Sequence, residues 1–369
     1  MGSTSELTLE CMAIGSLPHN NLEEAMEIVK TNFNRIPFWP QLAKINKNED
    51  MILQFLENMP SFFSDKDYLD CECNEFFEQI EQFFADYEEI TSFAPMWEKV
   101  SEGRMRGNDD IIEKYSIHTS LSFPNYIQFI KDTKPNFAKG QVTGPFTLST
   151  TLVDNNGKCA FYDETLREII VKTLSLKALW QIKQIKKANT DTTPIIFIDE
   201  PSISQLGTSA FITISQEDVI EMIKSVSDII KANGGLSAIH CCGKCDWRVP
   251  IKAGVNIINL DAYSYAENLS TFSEDIKKHL EAGGKIAWGV IPTLDSKALE
   301  ELSLEKAVNV FENAVKYLTK KGINEKIIIE NSLVTPSCGA GSLSEKLAEK
   351  AMKLTKELSI RLKERYYGV

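Results

Sequence analysis

Three cysteines, Cys241, Cys242 and Cys245, crowd into five positions directly after His240, one of four histidines in the chain. His240 and Cys242 are spaced i, i+2. On a strand that spacing puts both side chains on one face, about 7 Å apart, and at a strand end both can reach one ion. Cys338 lies a few residues past the last apolar run and can add a second thiolate. One imidazole and two thiolates suit Zn2+, whose catalytic sites hold three protein ligands and keep a fourth position exchangeable. The same cysteines leave two other readings open. Cys242-x-x-Cys245 could be half of a structural zinc site, or a redox pair. No second Cys-x-x-Cys follows to complete a ribbon, and the redox motif normally opens a helix after a first strand. Cys241 would point away from its two neighbours and pack, while Cys11, Cys71, Cys73 and Cys159 have no evident partner.

These residues need strands to carry them. Five nearly continuous apolar runs read as strands buried on both faces: Pro194–Asp199, Leu236–His240, Val255–Asp261, Lys285–Val290 and Lys326–Glu330. Amphipathic patterns near 163–189, 215–233, 268–282, 297–321 and 342–365 read as helices, with Ser215 and Ser344 as caps. Gly234-Gly235 and Gly283-Gly284 fall where a helix hands over to a strand. The first half repeats the pattern more faintly: strands at Leu9–Ile14, Pro37–Leu42 and Phe137–Thr143, and a helix at Leu22–Asn32. Residues 49–131 read as a helix-rich insertion in which Phe62-Phe63, Phe76-Phe77 and Phe83-Phe84 serve core packing. Eight strand candidates alternating with helices predict an α/β fold, a single (β/α)8 (TIM) barrel over 1–369 with the 49–131 insertion within it.

Length and composition agree with one large folded unit. The 369 residues are 43% hydrophobic and 25% charged, and the formal net charge of −12 speaks against a nucleic-acid surface, which needs clustered Lys and Arg. No apolar stretch reaches membrane-spanning length, and Met1–Glu10 lacks the marks of a targeting segment, so a cytoplasmic protein is expected. Gly-x-Gly-x-x-Gly and Gly-x-x-x-x-Gly-Lys loops are absent, which removes the main support for dinucleotide or nucleotide binding. In a barrel, chemistry belongs at the C-terminal ends of the strands. Gly15-Ser16, Gly144-Pro145, Asp199-Glu200-Pro201, His240-Cys241-Cys242-Gly243, Asp261 and Thr335–Gly339 all fall there.

The runs AIGSLPH (13–19), VTGPFTLS (142–149), IDEP (198–201), HCCG (240–243) and TPSCG (335–339) together resemble the catalytic barrel of cobalamin-independent methionine synthase. More broadly they resemble the superfamily joining it to uroporphyrinogen decarboxylase and the corrinoid-linked methyltransferases. The resemblance runs from about residue 10 to the C-terminus, and its most specific parts are His-x-Cys and the late Cys-Gly. It implies Zn2+ on His240, Cys242 and Cys338, with an acidic fourth ligand for which Asp261 is the best-placed match, an aspartate where methionine synthases carry glutamate. It further implies that Ile14, Gly15 and Ser16 hold an amino-acid carboxylate through backbone N–H groups. Asp199 would hold the ammonium, with Glu200 in the same pocket, and Asp199 and Asp261 would be the catalytic carboxylates. Two departures stand out. WGVIPTLD (288–295) lacks the histidine expected there, leaving only Asp295 as a relay candidate, and the resemblance takes in none of the separate N-terminal barrel of long methionine synthases.

The implied reaction is methyl transfer to a metal-activated thiol, homocysteine preferred. The donor is methyltetrahydrofolate or a methylated corrinoid such as methylcobalamin carried by a corrinoid protein; neither nucleic acid nor membrane is expected as a partner. Three rival readings share parts of this pattern: a corrinoid-linked methyltransferase or demethylase with another acceptor, a uroporphyrinogen decarboxylase-like enzyme, and a non-catalytic barrel with a structural zinc.

Overall fold

The computed structural model describes residues 4–63, 66, 68–92 and 109–368. Among the described residues four α-helices come first: α1 (Leu22–Asn32), α2 (Asn74–Thr91), α3 (Asp109–Glu113) and α4 (Phe123–Thr133). Strands and helices then alternate: β1 (Phe137–Thr143), α5 (Pro145–Thr151), α6 (Glu164–Ala188), β2 (Thr193–Asp199), α7 (Gln216–Ala232), β3 (Leu236–Cys241) and α8 (Arg248–Lys252). They continue with β4 (Ile257–Asp261), α9 (Ala262–Leu269), α10 (Ser273–Glu281), β5 (Lys285–Ile291), α11 (Ser296–Glu301), α12 (Leu304–Thr319), α13 (Glu325–Glu330), β6 (Ser332–Pro336) and α14 (Glu345–Tyr367). Side-chain caps set many helix starts; Asn21, Asp163, Ser215 and Ser344 each accept from a first-turn amide. Among the described residues no helix is long and apolar enough to cross a membrane.

The sheet corrects the expected eight-stranded barrel. It is a single parallel half-barrel of six strands in the order β1-β2-β3-β4-β5-β6. The expected strands Leu9–Ile14 and Pro37–Leu42 do not form. Their stretches make only single parallel bridges, Cys11 with Val334, Ser16 with Gln41 and Phe38 with Lys139. The physical reasons are local. Leu9 has φ +56, outside any strand conformation. Pro37 and Pro40 lack the N–H that a ladder needs on every second residue. Lys326–Glu330 is also not a strand: Asn324 caps it as the helix α13, and the strand follows at Ser332. The expected helix over 297–321 is two helices, each with its own cap, Asp295 for α11 and Ser303 for α12.

Alternation along the six strands divides the buried apolar residues into two clusters. One face of the sheet packs on the helices; Val142, Ile196, Ile198, Ile239, Ile258, Leu260, Ile286, Trp288 and Val334 belong to that core. The concave face carries a smaller apolar floor, including Phe137, Ile195, Phe197, Ala238, Ile257, Ala287 and Leu333. Further along the same face stand polar side chains in place of apolar ones: Lys139, Gln141, His240, Asn259 and Thr335, all buried. A change from oily floor to polar layer on one face of the strands is what puts chemistry at the C-terminal ends.

Residues 93–108 of the expected insertion lie outside the described residues. In its described part, Phe76 and Phe83 are buried and Phe84 packs against the same core, while Phe77 is 60% exposed and faces outward. The part nearest the sheet is fastened to α6: Phe123 stacks on Trp180 at 4.5 Å between ring centres, and Glu113 accepts from Trp180 Nε1 at 2.9 Å.

Candidate metal centre

β3 and the loop after β6 bring three soft donors to one point. A ring nitrogen of His240 and the sulfurs of Cys242 and Cys338 all lie within 4.8 Å of one another. His240 is the last inward residue of β3, and Cys242 follows just beyond the strand on the same side. Cys241 between them points into the sheet–helix core and is fully buried there. Cys245 stays out of the group: its thiol is buried against that of Cys241, on the opposite side from Cys242.

Hydrogen bonds fix how His240 is presented. Its Nδ1 lies 2.6 Å from Asn259 Oδ1 on β4. Asn259 Nδ2 in turn donates to Ala287 O and Thr335 Oγ1, both at 2.8 Å. Those two acceptors settle which end of the amide is the oxygen, so Nδ1 must carry the proton it donates to Oδ1. Nε2 is then left with a free lone pair, and it is buried with no hydrogen-bond partner. An imidazole oriented through one nitrogen and orphaned at the other, beside two sulfurs, is the arrangement a metal ligand requires. The donor set therefore fits Zn2+.

The Cys338 loop is held as firmly. The Thr293 hydroxyl accepts from Cys338 N at 3.0 Å and donates to Cys338 O at 2.9 Å. Thr293 N donates to Ser337 Oγ at 3.0 Å, and Ser337 N donates to Ile291 O at 2.8 Å. The loop folds down over β5 at Gly289, where an added Cβ would sit 2.4 Å from Leu260 O and 2.8 Å from Ser337 Cα. The sulfurs are polarised by one another. Contact with the Cys338 thiol, then with His240, holds Cys242 down to about 4 despite burial, and the same contact pushes Cys338 up. Burial lowers His240, but contact with Cys242 and the charge of Asp199 outweigh it and raise the imidazole.

The acidic residues divide. Asp199 ends β2 beside the cluster; its Oδ1 is buried and has no hydrogen-bond partner. Burial raises its carboxyl, while Lys139 and His240 oppose the rise. Glu200, expected in the same pocket, is fully buried on the other side and spends both oxygens on α5. It accepts from Phe146 N and Thr147 N at 2.8 Å and from the Thr147 hydroxyl at 2.6 Å, so it caps that helix. Asp261 lies near enough to feel Cys242 and His240, but it is not in the three-residue group, and its Oδ1 caps α9 by accepting from Ser264 N at 2.9 Å. Asp295 caps α11 through Ala298 N at 2.9 Å.

The loop Ile14–Ser16 faces the same rim. All three of its carbonyls are engaged: Ile14 O by Lys139 Nζ, Gly15 O by Gln41 N at 3.1 Å, and Ser16 O by Ala340 N at 3.0 Å. The N–H groups of Gly15 and Ser16 donate to no protein group among the described residues. Gly15 has φ +151 and rests on two glutamines; an added Cβ would lie 3.1 Å from Gln41 Oε1 and 3.2 Å from Gln141 Cδ. Pinned carbonyls with free amides are what a backbone anion site needs.

Sequence reading missed Asn259, Thr293, Lys139 and Gln141. A signal existed for three of them: Asn259 interrupts an Ile/Leu run two residues before Asp261, and Lys139 and Gln141 sit at alternate positions of a buried strand. Thr293 carried none. No family model and no curated protein matches the chain.

Proposed function

We propose that the chain is a zinc-dependent methyltransferase that moves a methyl group to the sulfur of an amino-acid thiol, homocysteine by preference. The observation that carries the reading is the orphaned Nε2 of His240, locked by Asn259 and converging with Cys242 and Cys338. Bound there, Zn2+ supplies the positive charge that keeps a thiol deprotonated at neutral pH while leaving it nucleophilic. The three protein ligands would leave a fourth position for the substrate sulfur.

The other groups then have natural tasks. The free amides of Gly15 and Ser16 receive the substrate carboxylate, and the unpartnered Asp199 Oδ1 receives its ammonium. Held at both ends, the substrate has its sulfur at the cluster, so orientation supplies part of the rate. In the reaction a sulfur–carbon bond forms as the bond from the methyl carbon to the donor breaks, and the thiol proton leaves to solvent. Asp261, held by Ser264 and near enough to feel Cys242 and His240, is the acidic group that would steady the cluster. The donor is methyltetrahydrofolate or a methylated corrinoid such as methylcobalamin, delivered at the rim. Eight unbridged cysteines suit a reducing, cytoplasmic setting.

The test is metal analysis of the purified protein together with methyl transfer from methylcobalamin and from methyltetrahydrofolate to homocysteine. One zinc per chain and S-methylation are expected, with zinc and activity lost together in Cys338→Ser. A zinc-free Cys338→Ser protein with full activity would sink the mechanism.

A further inference from the structure

Lys139 is the least expected residue of the concave face. It lies in the middle of β1 and is fully buried, at 0% exposure. Burying an ammonium costs free energy unless its donors are used, and a neutral side chain of equal volume is the cheaper filling. Here burial alone lowers Lys139 to about 8, with the charge of Asp199 working against the shift. The ammonium donates to Ile14 O and, at 3.0 Å, to Gln141 Oε1, and it stands 4.5 Å above the centre of the Phe197 ring. Gln141 passes the constraint on, because its Nε2 donates to Trp39 O at 3.1 Å and its amide forms the surface on which Gly15 rests.

The bond to Ile14 O has a geometric consequence. The peptide between Ile14 and Gly15 is one planar trans unit, so its carbonyl and its N–H point in opposite directions. Drawing the carbonyl toward Lys139 therefore turns the Gly15 N–H away from Lys139, and that N–H is one of the two left without a protein acceptor. No continuous ladder holds this stretch, which makes only single bridges to its neighbours. A side chain supplies the hold that a strand ladder gives elsewhere in the sheet.

We propose that Lys139 is a positioning residue for substrate selection: by holding the Ile14 carbonyl it aims the Gly15 amide, and so confers the preference for thiols that carry a carboxylate. The proposal rests on the amino-acid-thiol reading of the site and deepens it.

The experiment uses cobalt-loaded full-length protein and two probes, L-homocysteine and 3-aminopropane-1-thiol, which is the same molecule without the carboxylate. Binding is read from the rise in thiolate-to-cobalt charge-transfer intensity above that of the two cysteine ligands. The wild type should bind homocysteine at least about tenfold more tightly, the worth of one charge-assisted pair of hydrogen bonds. Lys139→Met and Lys139→Gln should keep their metal yet bring the ratio of the two affinities to within about twofold, inside the scatter of such measurements. Either variant holding metal and retaining the wild-type ratio overturns the proposal. Loss of metal and fold in both variants also overturns it, since Lys139 would then serve the fold alone. A wild type whose band does not change with either thiol, or that shows no preference between them, removes the amino-acid-thiol reading itself and this role with it. The variants' ratio thus judges Lys139, and the wild-type spectra judge the reading beneath it.

Discussion

Two arcs of the concave face are built in different ways. From β1 to β6 the backbone is a continuous parallel ladder, and it carries the histidine of the candidate metal group: His240 pairs with Asp199 on one side and Asn259 on the other. From Leu9 to Leu42 there is no continuous ladder, and the Ile14–Ser16 loop is held by Lys139, Gln41 and Ala340, each gripping one carbonyl. Ladder register fixes a side chain to within the play of one strand. A loop pinned at its carbonyls instead presents its amides, which a ladder would have consumed. The first construction suits a metal, which needs fixed side chains; the second suits an anion, which needs free N–H groups.

Mutations can separate the arcs, and the largest effect should fall on the ladder side. Cys338→Ser removes a ligand outright, and metal should be undetectable in the dialysed protein by elemental analysis. Asn259→Ala leaves the ligands in place but frees the His240 ring; loss of such a supporting partner costs about 10- to 100-fold in metal affinity, measurable by chelator competition. On the loop side, Gly15→Ala forces a side chain onto Gln41 and Gln141 at a backbone angle that favours glycine. Strain of about 1–3 kcal/mol should weaken homocysteine binding roughly tenfold while zinc content stays unchanged. If Gly15→Ala lost zinc as well, the two arcs would not be separable. Thr293→Val should have the smallest effect. It strips Cys338 of two backbone partners, for about 1–2 kcal/mol, seen as a modest fall in zinc affinity with the thiol preference intact.

Much of the ladder arc was legible in the sequence because its signals are local. A nearly continuous apolar run marks Pro194–Asp199, and the i, i+2 spacing of His240 and Cys242 states a shared face as soon as a strand is assumed. The same local reasoning failed at Lys326–Glu330, where three isoleucines look like a strand but Asn324 starts a helix. It failed again at Leu9–Ile14 and Pro37–Leu42, whose composition suits strands although a positive φ and two prolines prevent a ladder. Glu200 was drawn to the pocket by its neighbour Asp199, yet adjacent residues on a strand face opposite ways, and it caps α5.

The sequence by itself determined the α/β class, the order of the main strands and the three soft donors, because these depend on residue type and short-range period. Tertiary structure alone decided that Cys338 meets His240 and Cys242 across about a hundred residues, and that Asn259 and Thr293 hold them. It also decided that a buried lysine straps the loop opposite. Such partnerships depend on where strands end relative to one another and on which way a peptide plane is turned. No local period in the chain encodes either.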